Sequence, residues 1–161
     1  MSEEYIDDLA EQHETAELSI FPTLEDRKLF LTTLKLLGIT EVEVSFQGGG
    51  DSGEIDGIGA CDAQGKTIDI EDVMYPQGWQ KKSDFDTETH KWKETTIRCE
   101  RKLVDMLETL TYDALEKSGH DWYNNDGGQG QLKIDFRESP PAIKLEVGVN
   151  FTSTDDYEYQ L

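Results

Sequence analysis

Hydrophobic and polar positions along the chain predict a mixture of helices and half-buried strands. Apolar residues at residues 3–17 recur at helical spacing, and a second helix is predicted after Pro22 with Gly38 ending it. Residues 39–46, 132–136 and 143–149 alternate between apolar and polar side chains, which is typical of strands with one buried face. Shorter strands are predicted at residues 54–60 and 67–73.

A helix of nearly thirty residues is predicted at 91–118, with Gly119 at its end. Residues 48–53, 75–89 and 120–130 are interpreted as loops, because they are rich in residues that favour turns. Alternation on a single face favours an antiparallel sheet. The prediction is therefore an α+β fold, with an antiparallel sheet of about 4–5 strands and two or three helices packed on one face. An acidic helical segment at 1–20 would precede a single domain at 21–161.

The charge balance limits the classes of function. The chain has 35 Asp and Glu against 15 Lys and Arg, a net charge of −20. Such a chain does not bind phosphate backbones unaided, because that binding depends on Lys and Arg displacing counterions. An anionic membrane surface is disfavoured for the same reason, and no apolar stretch approaches the ~20 residues of a membrane span. With an acidic N-terminus and no secretory signal, a cytoplasmic location is predicted.

Two glycine-rich polar segments form the candidate polar site. Oxygen-rich segments of this kind suit hard cations such as Mg²⁺ or Ca²⁺. The second segment does not fit the calcium-loop pattern, and the first lacks the lysine of a phosphate-binding loop. Tight turns are the favoured interpretation, without a cofactor; in the alternative, Asp51, Glu54 and Asp56 hold a metal. The candidate residues are Asp51, Ser52, Glu54, Asp56, Asn124, Asn125 and Asp126.

No catalytic residue is predicted. His120 next to Asp121 has the composition of an oriented base, and Ser52 lies in a Gly-Asp-Ser-Gly sequence. Neither has the surrounding motif that such chemistry requires. Trp79, in a predicted loop, is either an exposed anchor for a protein partner or a buried residue, and the sequence leaves both open.

The sequence Gly-Gly-Asp-Ser-Gly-Glu-Ile at 49–55, with the polar segment at 119–130 and the strands after it, resembles a family of uncharacterised small proteins of bacteriophages and mobile plasmids. The resemblance covers roughly residues 30–160. It implies a mobile-element setting in a bacterial host and no particular activity. This chain has Tyr123 where the family pattern has Glu, which argues against a catalytic carboxylate there.

The favoured functional hypothesis is a non-enzymatic inhibitor, a nucleic-acid mimic that occupies a basic nucleic-acid-binding surface of a host defence complex, for example in an anti-CRISPR role. Carboxylates three and four residues apart on a helix lie about 5–6 Å from one another, so rows of them imitate a charged backbone. The leading partner-binding residues are Glu3, Glu4, Asp7, Asp8, Glu11, Glu14 and Glu17, with Trp79 as a candidate anchor; Asp155, Asp156 and Glu158 form a second acidic set.

The alternative hypothesis is a small divalent-metal-dependent enzyme or nucleotide-binding protein. It uses the two glycine-rich segments as one site, so it requires them to meet at one end of the sheet.

Overall fold

The computed structural model of the chain describes residues 20–150 and 154–161, and for residues 50, 51, 124–126, 154 and 155 it describes the backbone alone. The predicted acidic helix at 3–17, with its seven carboxylates, lies outside the described residues. The described chain has two helices and eight strands, which confirms the α+β class. In chain order they are α1 (Leu24–Leu36), β1 (Glu41–Cys61), β2 (Met74–Tyr75), β3 (Trp79–Asp86), β4 (Lys91–Arg98), β5 (Arg101–Lys102), α2 (Leu103–Ser118), β6 (Asn124–Asp135), β7 (Ala142–Asn150) and β8 (Thr154–Gln160).

The main sheet is antiparallel, in the order β1-β6-β7-β8. Strand β1 folds back on itself: the amide of Thr40, just before it, donates to the carbonyl of Cys61, its last residue, at 2.8 Å. A straight strand of this length would separate its ends by ~65 Å, so the chain must reverse within β1. Its second half, called the return arm here, forms a fifth strand at the edge of the sheet.

One hydrophobic core lies between the sheet and the helices. The inward side chains of β1, β6 and β7 alternate as the sequence predicted, and Val42, Val44, Leu132, Ile134 and Leu145 are all buried. The buried stripe of α2 (Leu107, Leu110, Ala114 and Leu115) and residues Phe30 and Leu34 of α1 belong to the same core.

Both helices end next to the glycines that the sequence analysis named as their ends. Thr23 caps α1 by accepting a hydrogen bond from the amide of Asp26. Gly38 (φ 84°) follows α1 and Gly119 (φ 73°) follows α2, each in the left-handed conformation that glycine adopts without strain.

The predicted helix at 91–118 is wrong in its first part. Residues Lys91–Arg98 form β4, which pairs with β3, and α2 begins only at Leu103. The two strands form a hairpin, called the arm here (residues 79–98), whose two faces are exposed along most of its length. Because neither face of the arm is buried, its sequence has no alternating apolar pattern. The sequence signal for a strand that remains is the run of β-branched residues Thr95, Thr96 and Ile97.

Other predictions need correction as well. Residues 75–89 contain the whole of β3, and residues 48–53 and 124–130 are strand instead of loop. The predicted strand at 67–73 is reduced to one bridge between Thr67 and Cys61, and β8 was not predicted. Trp79 is completely buried, with its ring 5.9 Å from that of Phe21, so it is not an exposed anchor. Trp122 is buried as well.

Candidate functional site

The outer face of the main sheet, opposite the core, carries several carboxylates from different strands. Because successive side chains of a strand point to opposite faces, burial of Val42, Val44 and Phe46 places Glu43 and Ser45 on the outer side. Strand register extends this face across the sheet, since Ser45 is opposite Gln131, Gln131 opposite Glu146, and Glu146 opposite Glu158. Asp156 lies opposite Gly148 in the next row.

The return arm adds Glu54 to the same face. A Cβ on Gly53 would lie 2.4 Å from the Trp122 ring, so Gly53 faces the core and its neighbours Ser52 and Glu54 face outward. Glu54, Gln47 and Gly49 line one cleft of about 450 Å³. Asp56 is exposed further along the return arm. The carboxylates of the outer face that gather here, called the acidic face below, are Glu43, Glu54, Glu146, Asp156 and Glu158.

These carboxylates lack cationic partners. Within the described ranges, no Lys or Arg nitrogen lies within 4.0 Å of the carboxylates of Glu43, Glu54, Asp156 or Glu158. Glu146 accepts a hydrogen bond from the side chain of Gln131 at 3.2 Å. Carboxylates on neighbouring strands about 4.8 Å apart repel one another, so this surface carries a concentrated negative field.

One corner of the outer face is neutralised instead. Arg137 pairs with Glu41 at 2.6 Å and with Asp135 at 3.0 Å, and Lys133 approaches Glu41 at 3.7 Å. The hydrogen bonds from Arg137 hold the pKa of Asp135 below its usual value. Lys133 also lies directly opposite Glu43 in the strand register, so the negative field is concentrated away from both Glu41 and Glu43.

Two clefts open on the outer face beside the unpaired carboxylates. One, of about 390 Å³, lies between β6, β7 and β8 and is lined by Gln129, Glu146, Asp156 and Glu158. The other, of about 400 Å³, lies between Glu41, Glu43 and the return-arm residues Gly57 and Gly59, which have no side chains to fill it. Both are open depressions in the sheet surface.

The two glycine-rich segments meet at one end of the sheet. In the register of β1 and β6, Gly50 lies opposite Asn125 and Asp51 opposite Asn124. The glycines permit this approach: a Cβ on Gly127 would lie 1.9 Å from the carbonyl oxygen of Gly48. Ser52, Glu54 and Asp56 are exposed, while the side chains of Asp51 and residues 124–126 lie outside the description. Among the side chains that the structure does describe, no group of three or more His, Cys, Asp or Glu is arranged to hold a metal.

Near the β8 edge, His120 contacts two tyrosines. Its ring stacks on Tyr157 at 4.1 Å between centroids, and its Nε2 makes a short hydrogen bond with the hydroxyl of Tyr159. The imidazole therefore helps to hold β8 against the end of α2. Sequence reasoning missed this contact because β8 was not predicted.

A second set of carboxylates lies at the junction of the helices and the arm. Asp26 of α1 is buried and accepts two hydrogen bonds from Arg98 of β4, at 2.6 and 2.9 Å. These bonds lower the pKa of Asp26 below its usual value. Asp113 of α2, also buried, pairs with Lys81 at 2.6 Å and with Lys117 at 3.3 Å. These carboxylates connect elements of the fold.

Comparison with known proteins gives a family for this architecture. The profile of a family of unknown function, DUF6878, matches residues 23–161. The chain belongs to this family. The match begins one residue before α1 and includes every described element of the DUF6878 fold. No curated protein and no solved structure matches the chain. In the described part of the chain, no helix is long and apolar enough to cross a bilayer.

Proposed function

We propose that this DUF6878 protein is a non-enzymatic inhibitor that occupies a basic nucleic-acid-binding surface of a host defence complex in the bacterial cytoplasm. The observation that supports the proposal is the acidic face, where carboxylates from three strands and the return arm lie on one uncovered surface. Glu43, Glu54, Asp156 and Glu158 of this set have no ion-pair partner in the described part of the chain. The sequence resemblance implies a mobile-element setting, and in that setting the expected target is a complex of the bacterial host.

The spacing of the acidic face suits this role. Outward side chains recur about every 6.8 Å along a strand and about every 4.8 Å across strands, and the carboxylates of the acidic face occupy some of these regularly spaced positions. A nucleic-acid backbone also presents closely and regularly spaced negative charges, which basic channels bind with release of counterions. A rigid sheet holds its carboxylates in place before binding, which reduces the ordering that binding must bring about. The N-terminal carboxylates Glu3–Glu17 remain a predicted additional contribution.

The experiment compares two variants of equal net charge. The face variant is Glu43→Gln, Glu54→Gln, Asp156→Asn and Glu158→Gln. The control variant is Glu71→Gln, Asp72→Asn, Glu100→Gln and Glu116→Gln, at exposed positions outside the main sheet. Tagged proteins are incubated with nuclease-treated lysate of the bacterial host at low salt and eluted in salt steps.

The proposal predicts that wild type and control variant retain a basic nucleic-acid-handling complex that elutes between moderate and high salt. The face variant should retain about tenfold less of it. Charges across a protein interface determine both the association rate and the choice of partner, and this variant lacks four of them. Equal retention by the two variants, or retention of no basic protein by wild type, would overturn the proposal.

A second candidate function rests on one observation, the register that places Gly50–Asp51 opposite Asn124–Asn125. This arrangement meets the requirement of a divalent-metal-dependent enzyme or nucleotide-binding protein that uses both segments. It predicts that Mg²⁺, Mn²⁺ or Ca²⁺ raises the melting temperature of wild type but not of Asp51→Asn. If none of the three ions changes the melting temperature of wild type, this candidate fails.

A further inference from the structure

Strand β8 forms an open edge of the main sheet. It pairs with β7, and no other strand of the described chain pairs with it. The opposite edge is closed in part, because the amide of Ile55 in the return arm donates to the hydroxyl of Tyr112 on α2 at 3.2 Å. An open edge presents a row of unpaired N–H and C=O groups, which is a template for a further strand.

One backbone hydrogen bond identifies the residues of β8 that face this edge. The amide of Leu161 donates to the carbonyl of Ile143 at 2.7 Å, and these two residues continue the register of β7 and β8. In an antiparallel pair, residues that exchange hydrogen bonds alternate with residues that do not. Tyr157 therefore directs its backbone groups toward β7, as Leu161 does, and Asp156 and Glu158 direct theirs toward the open edge.

The same two residues carry the carboxylates that β8 contributes to the acidic face. The side chains of Asp156 and Glu158 lie beside the cleft of about 390 Å³ that Glu146 also lines. Tyr157 lies between them on the other face of the strand, where it is 40% exposed and stacks on His120. Unpaired backbone groups and negative side chains therefore belong to the same residues at this edge.

We propose that the β8 edge binds a basic segment of a partner protein in extended conformation, which adds to the sheet as a further strand. Residues of the segment that exchange backbone hydrogen bonds with Asp156 and Glu158 have their side chains on the outer face beside the two carboxylates, so Lys or Arg fits there. The residue between them lies beside Tyr157, where a β-branched or apolar side chain fits. This edge therefore selects a segment in which basic residues alternate with β-branched or apolar ones.

Charge disfavours the two occupants that the chain itself offers. Antiparallel pairing of two β8 strands about Tyr157 places Asp156 of each copy opposite Glu158 of the other copy. Like charges directly opposite each other destabilise a sheet. Residues 1–19 contain seven Asp and Glu and neither Lys nor Arg, so they meet the same repulsion. A basic strand is the occupant whose charge is complementary.

The inference rests on the proposed function only for the identity of the partner, since a basic surface that binds nucleic acid supplies such segments. It adds the way in which the partner is held. In strand addition, main-chain hydrogen bonds provide affinity and alternate side chains provide specificity. A synthetic peptide therefore tests the edge separately from the host complex.

The experiment measures binding of an end-blocked eight-residue peptide, in which four lysines alternate with four threonines, to the full-length protein at low salt. One derivative is N-methylated at the four lysines and a second at the four threonines, so all three peptides have the same charge. Methylation at lysine removes the N–H groups that donate to β8 and should weaken binding about tenfold or more. Methylation at threonine removes N–H groups that point away from β8 and should change binding by less than about threefold.

Hydrogen exchange of individual amides, measured by NMR, locates the binding. In the free protein, the amides of Asp156 and Glu158 should exchange rapidly and that of Tyr157 slowly, because only Tyr157 is bonded to β7. The unmodified peptide should slow exchange at Asp156 and Glu158 about tenfold or more and leave Tyr157 little changed. The variant Asp156→Asn with Glu158→Gln should bind the peptide about fivefold more weakly. Its control, Glu71→Gln with Asp72→Asn at exposed positions outside the sheet, should bind like wild type.

Equal affinity for the two methylated peptides would overturn the proposal, because it would leave only attraction between charges. Slow exchange at Asp156 and Glu158 in the free protein would also overturn it. Protection that is lost on dilution would identify a second copy as the occupant, and protection that persists would identify a segment of the same chain.

The peptide and the lysate experiment fail separately. If the peptide does not bind while the host complex is still retained through the acidic face, this inference is wrong and the proposed function stands. If the peptide binds as predicted while wild type retains no basic protein, the proposed function fails and the β8 edge remains a strand-binding site.

Discussion

The carboxylates at the junction of the helices and the arm differ from those of the acidic face in what lies beside them. Asp26 and Asp113 are buried, and each has at least one cation within 3 Å. Glu43, Glu54, Asp156 and Glu158 lie on an open sheet surface without an ion-pair partner among the described residues. The chain has only 15 Lys and Arg for 35 carboxylates, and the fold uses several of those cations at the junction.

The comparison separates carboxylates whose ion pairs stabilise the fold from carboxylates that are exposed and able to contact another molecule. A buried carboxylate without a partner costs several kcal/mol, so cations at the junction stabilise the fold. An exposed carboxylate costs little by itself, but a group of them retains its full attraction for a basic partner. Substitutions should therefore change stability in the first region and binding in the second.

The largest expected effect comes from breaking the sheet that carries the acidic face. A Cβ on Gly130 of β6 would lie 1.9 Å from the carbonyl oxygen of Glu146 and 2.7 Å from the Phe46 ring. Gly130→Ala should lower the free energy of unfolding by more than about 3 kcal/mol or prevent folding. Gly57→Ala, where a Cβ meets nothing within 4 Å, is the matched control and should change it by about 0.5 kcal/mol or less. Urea denaturation measures both, and equal stability of the two variants would contradict the sheet geometry.

The second-largest expected effect on stability comes from breaking an ion pair at the junction of the helices and the arm. Arg98→Ala leaves the buried carboxylate of Asp26 without its cation and should lower the free energy of unfolding by about 1–2 kcal/mol, a value reduced by the exposure of the guanidinium. Lys102→Ala, at an exposed position without an ion pair in the described chain, is the control. A loss no larger than that of the control would show that the pair does not stabilise the fold.

The same pair gives a pH dependence. Because Arg98 lowers the pKa of Asp26 in the folded state, the unfolded state binds the proton more readily. The stabilisation from this pair is therefore complete above the ordinary Asp pKa of about 4 and is lost as the pH falls through the lower folded value. Between pH 5 and pH 3, wild type should lose more stability than Arg98→Ala, as measured by denaturation at each pH. Parallel curves would contradict this assignment.

The smallest expected effect on stability comes from the substitutions in the acidic face. The face variant removes four carboxylates that repel one another, so its free energy of unfolding should stay the same or rise by about 0.5 kcal/mol. Thermal or urea unfolding of the face variant beside wild type measures this. A loss above about 1 kcal/mol would mean that these residues also have a structural role.

The sequence predicted those parts of the fold whose pattern is local. Alternation at 39–46, 132–136 and 143–149 identified strands because each has one buried face, and Gly38 and Gly119 marked helix ends by their backbone conformation. The arm was missed because both its faces are exposed, which leaves no periodicity. Pairing between β3 and β4 decides its structure, and pairing is not local.

The glycine-rich segments and the acidic face were harder for a related reason. Gly130 is a glycine because neighbouring strands approach closely, and Gly127 combines such an approach with a left-handed φ of 75° inside a strand, so neither glycine marks a loop. Composition alone does not separate these causes. The acidic face joins residues as distant in sequence as Glu43 and Glu158, which only the strand order brings together.

The most direct test of the proposed function is competition between this protein and nucleic acid for the basic complex that the proposal predicts it to retain from the host lysate. Wild type and the control variant should displace bound nucleic acid at similar concentrations, and the face variant should require about tenfold more protein. The difference should shrink as salt is raised. If the face variant displaces nucleic acid as well as wild type does, the acidic face is not the binding surface.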